Sequence, residues 1–131
     1  MFVDTSAIVS ILTLEPEADG LADALEATQT PITSPLAVFE AVLGLCRKRS
    51  CSVAEGEADV IAFLHSASVA VVPITAEEGH AALAAFARYG KGRGHPAQLN
   101  LGDCFAYAAA TTRNLPLFFK GEDFSRTDAA S

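Results

Sequence analysis

Four short apolar runs, the first three each followed by segments of helical periodicity, constrain this chain more than any other feature. Met1–Asp4, Pro31–Ser34, Val69–Ile74 and Leu117–Phe119 are the strand candidates, and none shows the in–out alternation of a strand with one solvated face. Between them lie helical patterns. Residues 5–13 open with a pair of hydroxyls suited to capping, and Glu15–Thr28 carries a polar, acidic face. Ser34-Pro35 places a cap before a first-turn proline and opens a helix over 36–49. Ser52 with Glu55 forms a capping-box pattern for a helix over 52–66, with Val60, Ile61 and Leu64 facing inward. Thr75 with Glu78 repeats the pattern for a helix to about Tyr89, and an alanine-rich helix spans 102–114. Apolar strands alternating with helices predict one α/β domain over residues 1–131. Its parallel sheet of four or five short strands, that at Val69–Ile74 buried, is flanked by helices on both faces.

Composition excludes several classes. A chain of 131 residues, 50% hydrophobic and 19% charged, has the length and apolar content for one packed core and is not disordered. No apolar stretch reaches the ~18 residues of a membrane span, so no membrane association is expected. MFVDTSAIVSIL lacks a basic leader and carries Asp4 within its apolar run, unlike a signal peptide. Cys46, Cys51 and Cys104 are odd in number and form no CxxC pair, which predicts reduced thiols and a cytoplasmic location. The formal charge of −7 argues, taken whole, against a polyanionic partner.

Where the acids fall matters more than their number. Asp4, Glu40 and Asp103 each stand in a stretch without other charges, whereas most other acids cluster on polar helix faces. An ionised carboxylate in apolar surroundings is costly unless paired, and these stretches hold no lysine or arginine. A bound cation would supply the partner. Asp4 ends the first strand, and ligands of open α/β sheets bind beyond the carboxyl ends of strands. Glu40 lies on or beside the apolar stripe of its helix, and Asp103 sits in the first turn of its own, where the helix dipole favours an anion. Asp123, in FFKGEDF, follows the last strand. Taken singly, Asp4 reads equally well as a helix cap, Glu40 as a surface acid, Asp103 as a helix-start charge and Asp123 as part of a turn. Together they form a candidate oxygen-only site, which suits Mg²⁺ or Mn²⁺ rather than Zn²⁺.

MFVDTSAIV, Glu40 in its helix, LNLGDCFAYAAA and PLFFKGEDF together resemble the PIN-domain ribonucleases, in particular the VapC toxins of bacterial toxin–antitoxin systems. The resemblance runs in order from Met1 to about Asp128. It implies a PIN-like fold and an active site of Asp4, Glu40, Asp103 and Asp123 around Mg²⁺ or Mn²⁺. Asp4, Asp103 and Asp123 would be metal ligands, with Glu122 as an alternative to Asp123, and Glu40 would orient or deprotonate the attacking water. Ser6, Asn100 and Thr127, the last beside Asp128, match supporting positions around those acids. The resemblance further implies an RNA substrate, a VapB-like antitoxin and a homodimer or toxin–antitoxin hetero-oligomer.

The residue types fit that chemistry. Phosphodiester hydrolysis needs an activated water and charge stabilisation at the phosphorus, both of which carboxylate-held divalent ions provide. Arg88, Lys91 and Arg93, with His95, surround a glycine-rich loop ahead of Asp103 and are candidates for gripping single-stranded RNA. A solvated helix end explains the same charges, as it does Arg47-Lys48-Arg49. Tyr89 and Tyr107 are candidate base-stacking rings, with Tyr107 read rather as core. Two rival readings remain open: a PIN-like module that binds RNA or a partner without cutting it, and a Mg²⁺-dependent phosphatase. The second wants another Asp two residues after Asp4, where this chain has Ser6. Setting the four site acids aside leaves −3 of the −7, so the bulk charge combines a metal cradle with a solvated outer face.

Overall fold

β1 (Phe2–Val3), β2 (Ile32–Thr33), β3 (Ala70–Val71) and β4 (Leu117–Phe118) form one parallel sheet in the order β3-β2-β1-β4. The computed structural model describes residues 1–122 and 124–129. Six helices connect the strands: α1 (Thr5–Leu12), α2 (Ala18–Glu26), α3 (Pro35–Arg49), α4 (Val53–Ser66), α5 (Ala76–Tyr89) and α6 (Leu101–Thr112). The chain steps from β1 to β2 to β3 in one direction, then returns past β1 to place β4 on its other side. Crossovers between parallel strands are right-handed, so the outward steps and the return step deposit their helices on opposite faces. The buried side chains divide accordingly. Val3 packs with Ile8, Leu25, Leu45, Val60 and Leu64 from α1 to α4. Its neighbour Phe2 points the other way, into Ala85, Tyr89, Ala106, Ala109 and Leu117.

Local chemistry sets the helix starts. Ser34 Oγ accepts from the Ala37 N–H at 3.1 Å, with Pro35 in the first turn of α3. Ser52 and Glu55 close the predicted capping box of α4. Thr75 caps α5 by accepting from the Glu78 N–H, but the Glu78 carboxylate does not complete a box. It is buried and turns to Arg113, whose Nη2 lies 2.6 Å away.

Three expectations need correction. The helix expected from Glu15 begins at Ala18, because the chain turns first through Leu14, at φ 54°, and Pro16. Ile61, expected inward, lies on the open side of α4 with 49% exposure. The apolar run Val69–Ile74 is not a buried strand: only Ala70–Val71 pair, both exposed, because β3 is the sheet edge. Pro73, without an N–H, comes just after the last ladder bond, from the Val72 N–H to the Thr33 carbonyl at 2.9 Å.

Candidate active site

The strand order reverses at β1, so the crevice beyond the ends of β1 and β4 is the switch point at which such sheets bind ligands. A cleft of about 400 Å³ opens there, and Asp4, Glu40 and Asp103 all line it. The structure thus brings together three of the four acids singled out in the sequence. Asp123, the fourth, lies outside the described residues. Among the described residues, no three His, Cys, Asp or Glu side chains form a ready-made metal-binding group.

Each acid is placed by its backbone. Asp4 leaves β1 in an extended conformation and caps α1, its Oδ2 accepting from the Ser6 N–H at 3.0 Å. The Asp4 N–H donates to the Phe118 carbonyl at 2.9 Å, which ties the cap to β4. One carboxylate therefore caps α1 and lines the cleft. Asp103 is the third residue of α6 and forms a reciprocal box with Asn100. Its Oδ2 accepts from the Asn100 N–H at 3.1 Å, while its own N–H donates to Asn100 Oδ1 at 2.9 Å. Both acids are buried, at 5% and 9% exposure, at the positive ends of their helices.

Glu40 reaches the same place from the middle of α3. Its carboxylate lies on the N-terminal turn of α6, over Gly102. A Cβ built on Gly102 would fall 2.2 and 2.3 Å from the two Glu40 oxygens. Only a residue without a side chain leaves this space open. Burial pushes the Glu40 carboxyl above its usual value, and the neighbouring Asp4 charge pushes it further, against a hydrogen bond from Thr5. An anion destabilised by its surroundings and by a second anion is poised to take a proton or to face a cation.

The supporting residues divide. Ser6 does hold the site together: its Oγ accepts from the Lys120 N–H at 2.9 Å, joining the start of α1 to the segment after β4. Asn100 does so through the Asp103 box. Thr127 does not line the cleft; its Oγ1 donates to the Phe124 carbonyl at 2.8 Å and closes a turn in the tail. Glu122, the alternative fourth acid, is exposed and is likewise not among the cleft residues. Arg88, Lys91 and Arg93 are exposed and also stand outside the cleft wall. Arg88 pairs with Asp128 at 3.7 Å and lies over the Tyr89 ring at 4.6 Å. Tyr89 is buried, and the Tyr107 hydroxyl donates to Asp128, so both rings serve packing.

Sequence reasoning read Arg47 and Lys48 as a solvated helix end and overlooked Lys120, yet these are the cations that face the cleft. Arg47 and Lys48 at the end of α3 and Lys120 after β4 line it, together with Glu15. Glu15 is not part of a solvated face: it accepts from Lys48 Nζ at 3.2 Å and from Lys120 Nζ at 3.5 Å. Helical spacing offered a signal, because Glu40, Gly44, Arg47 and Lys48 fall on one face of α3. Gly102, next to Asp103 in the sequence, gave none.

Residues 1–130 match the PIN domain family. The chain belongs to the PIN-domain family. Several relatives within it are named as VapC ribonucleases. A VapC ribonuclease of Rhizobium meliloti is 47% identical over 97% of each chain. Ribonuclease VapC of Mycolicibacterium smegmatis is 44% identical over 100% of this chain and 98% of that one. Ribonuclease VapC30 of Mycobacterium tuberculosis is 42% identical over 100% and 97%. The PIN fold is also that of a Mycobacterium tuberculosis crystal structure, VapC20, a sarcin–ricin-loop-cleaving toxin. It superposes with a TM-score of 0.74 over 95% of this chain and 92% of that one, at 18% identity. The family resemblance read from the motifs and the α/β architecture are both borne out. No helix among the described residues is long and apolar enough to cross a membrane.

Proposed function

We propose that this PIN-domain protein is a Mg²⁺- or Mn²⁺-dependent endoribonuclease, the toxin of a VapBC-like toxin–antitoxin pair, acting in the cytoplasm. The observation that carries the reading is the convergence of Asp4, Glu40 and Asp103, from three separate elements, on one cleft at the sheet's switch point. The VapC ribonuclease names of relatives at 42–47% identity support the same activity. The donor set fits a hard cation: the acids offer only carboxylate oxygen, and no histidine lines the cleft. Asp4 and Asp103 would hold the ion, with Asp123 as a further ligand. When bound, it would lower the pKa of water and offset the charge gathering on the cleaved phosphate.

The chain's own residues prepare the rest. Caps fix the Asp4 and Asp103 carboxylates at the first turns of α1 and α6. Glu40, its basicity raised by burial and by Asp4, is suited to take the proton of the attacking water. Ser6 keeps the β4 end against the site. The same acidic cleft suits a basic segment of an antitoxin. Exposed Leu83 and Leu101, at 71% and 63%, lie along an apolar groove between α5 and α6 and support association with a second chain.

Incubating the purified protein with an RNA pool in Mg²⁺ or Mn²⁺, and in parallel with EDTA, tests the reading. Cleavage in metal and none in EDTA is expected. Binding of RNA without cleavage under every condition would replace it with the non-catalytic module.

A further inference from the structure

Three cations share the cleft with the acids, and only one carboxylate answers them among the described residues. Arg47 and Lys48 come from the last turn of α3 and Lys120 from the segment after β4. Lys48 and Lys120, distant in sequence, both point their ammonium groups at Glu15, at 3.2 and 3.5 Å. Arg47 reaches back along α3, with Nη2 3.9 Å from the Cβ position of Gly44. Glu40, Gly44, Arg47 and Lys48 therefore form one stripe of α3 that runs from the acidic end of the cleft to its basic end. Glu40 and Lys48 are eight residues apart, about 12 Å of helix. The two lysine ammonium groups gather at Glu15, the basic end of the cleft, where an anion would be held beside the one presented to the acids.

We propose that Arg47, Lys48 and Lys120 form the seat for an RNA backbone phosphate adjacent to the one that is cut. Glu15 holds the two lysines together until RNA displaces it. The proposal rests on the ribonuclease reading and deepens it by assigning the substrate path. It also moves that path away from the loop bearing Arg88, Lys91 and Arg93. Those side chains stand outside the cleft, and Arg88 is engaged by Asp128 and Tyr89. The pairs of the lysines with Glu15 are half-exposed single ion pairs and contribute little to stability, so their removal leaves the fold in place.

The test is anisotropy of a labelled single-stranded RNA, titrated with the full-length protein at several salt concentrations in EDTA and in Mg²⁺. Cleavage kinetics run beside it. The double variant Lys48→Ala/Lys120→Ala is expected to bind about tenfold more weakly and to raise KM with little change in kcat. Its log–log salt slope falls by about 0.7 for each phosphate charge that the lysines no longer neutralise. Glu15→Gln, which frees the lysines, is expected to tighten RNA binding, an effect that a merely structural ion pair would not produce. Wild-type affinity and salt slope in the double variant overturn the proposal, as does a loss confined to Arg88→Ala/Lys91→Ala/Arg93→Ala. No RNA binding by the wild type also overturns it. Binding that depends on the lysines, without cleavage, overturns the ribonuclease reading and leaves the phosphate seat standing.

Discussion

Replacing Gly102 with alanine separates catalysis from stability. The new Cβ would lie 2.2 to 2.5 Å from the Glu40 carboxylate atoms. Ordinary carbon–oxygen contact is about 3.3 Å, so the carboxylate must withdraw by roughly 1 Å. It is the end of a flexible side chain and can do so without moving α3 or α6. Alanine in the first turn of α6 is also a better helix former than glycine, by up to about 1 kcal/mol. Thermal unfolding should therefore show a Tm within a few degrees of wild type, unchanged or slightly raised. Catalysis should suffer, because a displacement of about 1 Å in a positioned group can cost on the order of 100-fold in rate. Single-turnover cleavage at neutral pH, run beside thermal denaturation, reads both effects. A variant within threefold of the wild-type rate would show that the Glu40 position over Gly102 has no catalytic meaning.

Glu40→Gln should abolish cleavage and yet stabilise the metal-free protein at neutral pH. A carboxyl whose pKa is raised in the fold favours the protonated state, so the wild type loses stability as pH climbs from the usual 4.5 through the folded value. Urea unfolding should show the variant's advantage at pH 7 and none below about pH 4; an advantage equal at both would refute the burial argument. Arg113→Ala leaves Glu78, at 3% side-chain exposure, without its partner at 2.6 Å. It should destabilise by about 3 kcal/mol, whereas a joint replacement of both by apolar residues should recover most of the loss. Equal losses in the single and double variants would contradict this. Ser6→Ala removes the acceptor for the Lys120 N–H and should cost about 1 kcal/mol with a several-fold lower kcat, measured by denaturation and cleavage in parallel.

The motifs at Asp4, Glu40 and Asp103 were legible in the sequence because a lone acid in an apolar stretch needs a reason, and convergence supplies one. Ser6 and Asn100 entered only through the family resemblance, and the structure places their backbone N–H groups on the Asp4 and Asp103 carboxylates. The order of strands was not legible, and it decides burial: Val69–Ile74 has the composition of a central strand, but its place beside β2 alone leaves Val71 46% exposed. Pairings between distant segments were equally hidden. Glu15 looked like one more acid on a polar face until the turn at Leu14 and Pro16 brought it between Lys48 and Lys120. Basic residues in a glycine-rich loop near Asp103 suggested an RNA grip by proximity in sequence, whereas the cleft draws its cations from α3 and the end of β4.

Cleavage by Asp4→Asn and Asp103→Asn tests the central claim most directly. Each substitution keeps a capping oxygen and the side-chain volume while removing the charge that would hold the metal. With folding matched by circular dichroism and Tm, both variants should lose RNA cleavage in Mg²⁺ and Mn²⁺ while the wild type retains it. Undiminished cleavage by either variant would contradict the assignment of this cleft as the active site.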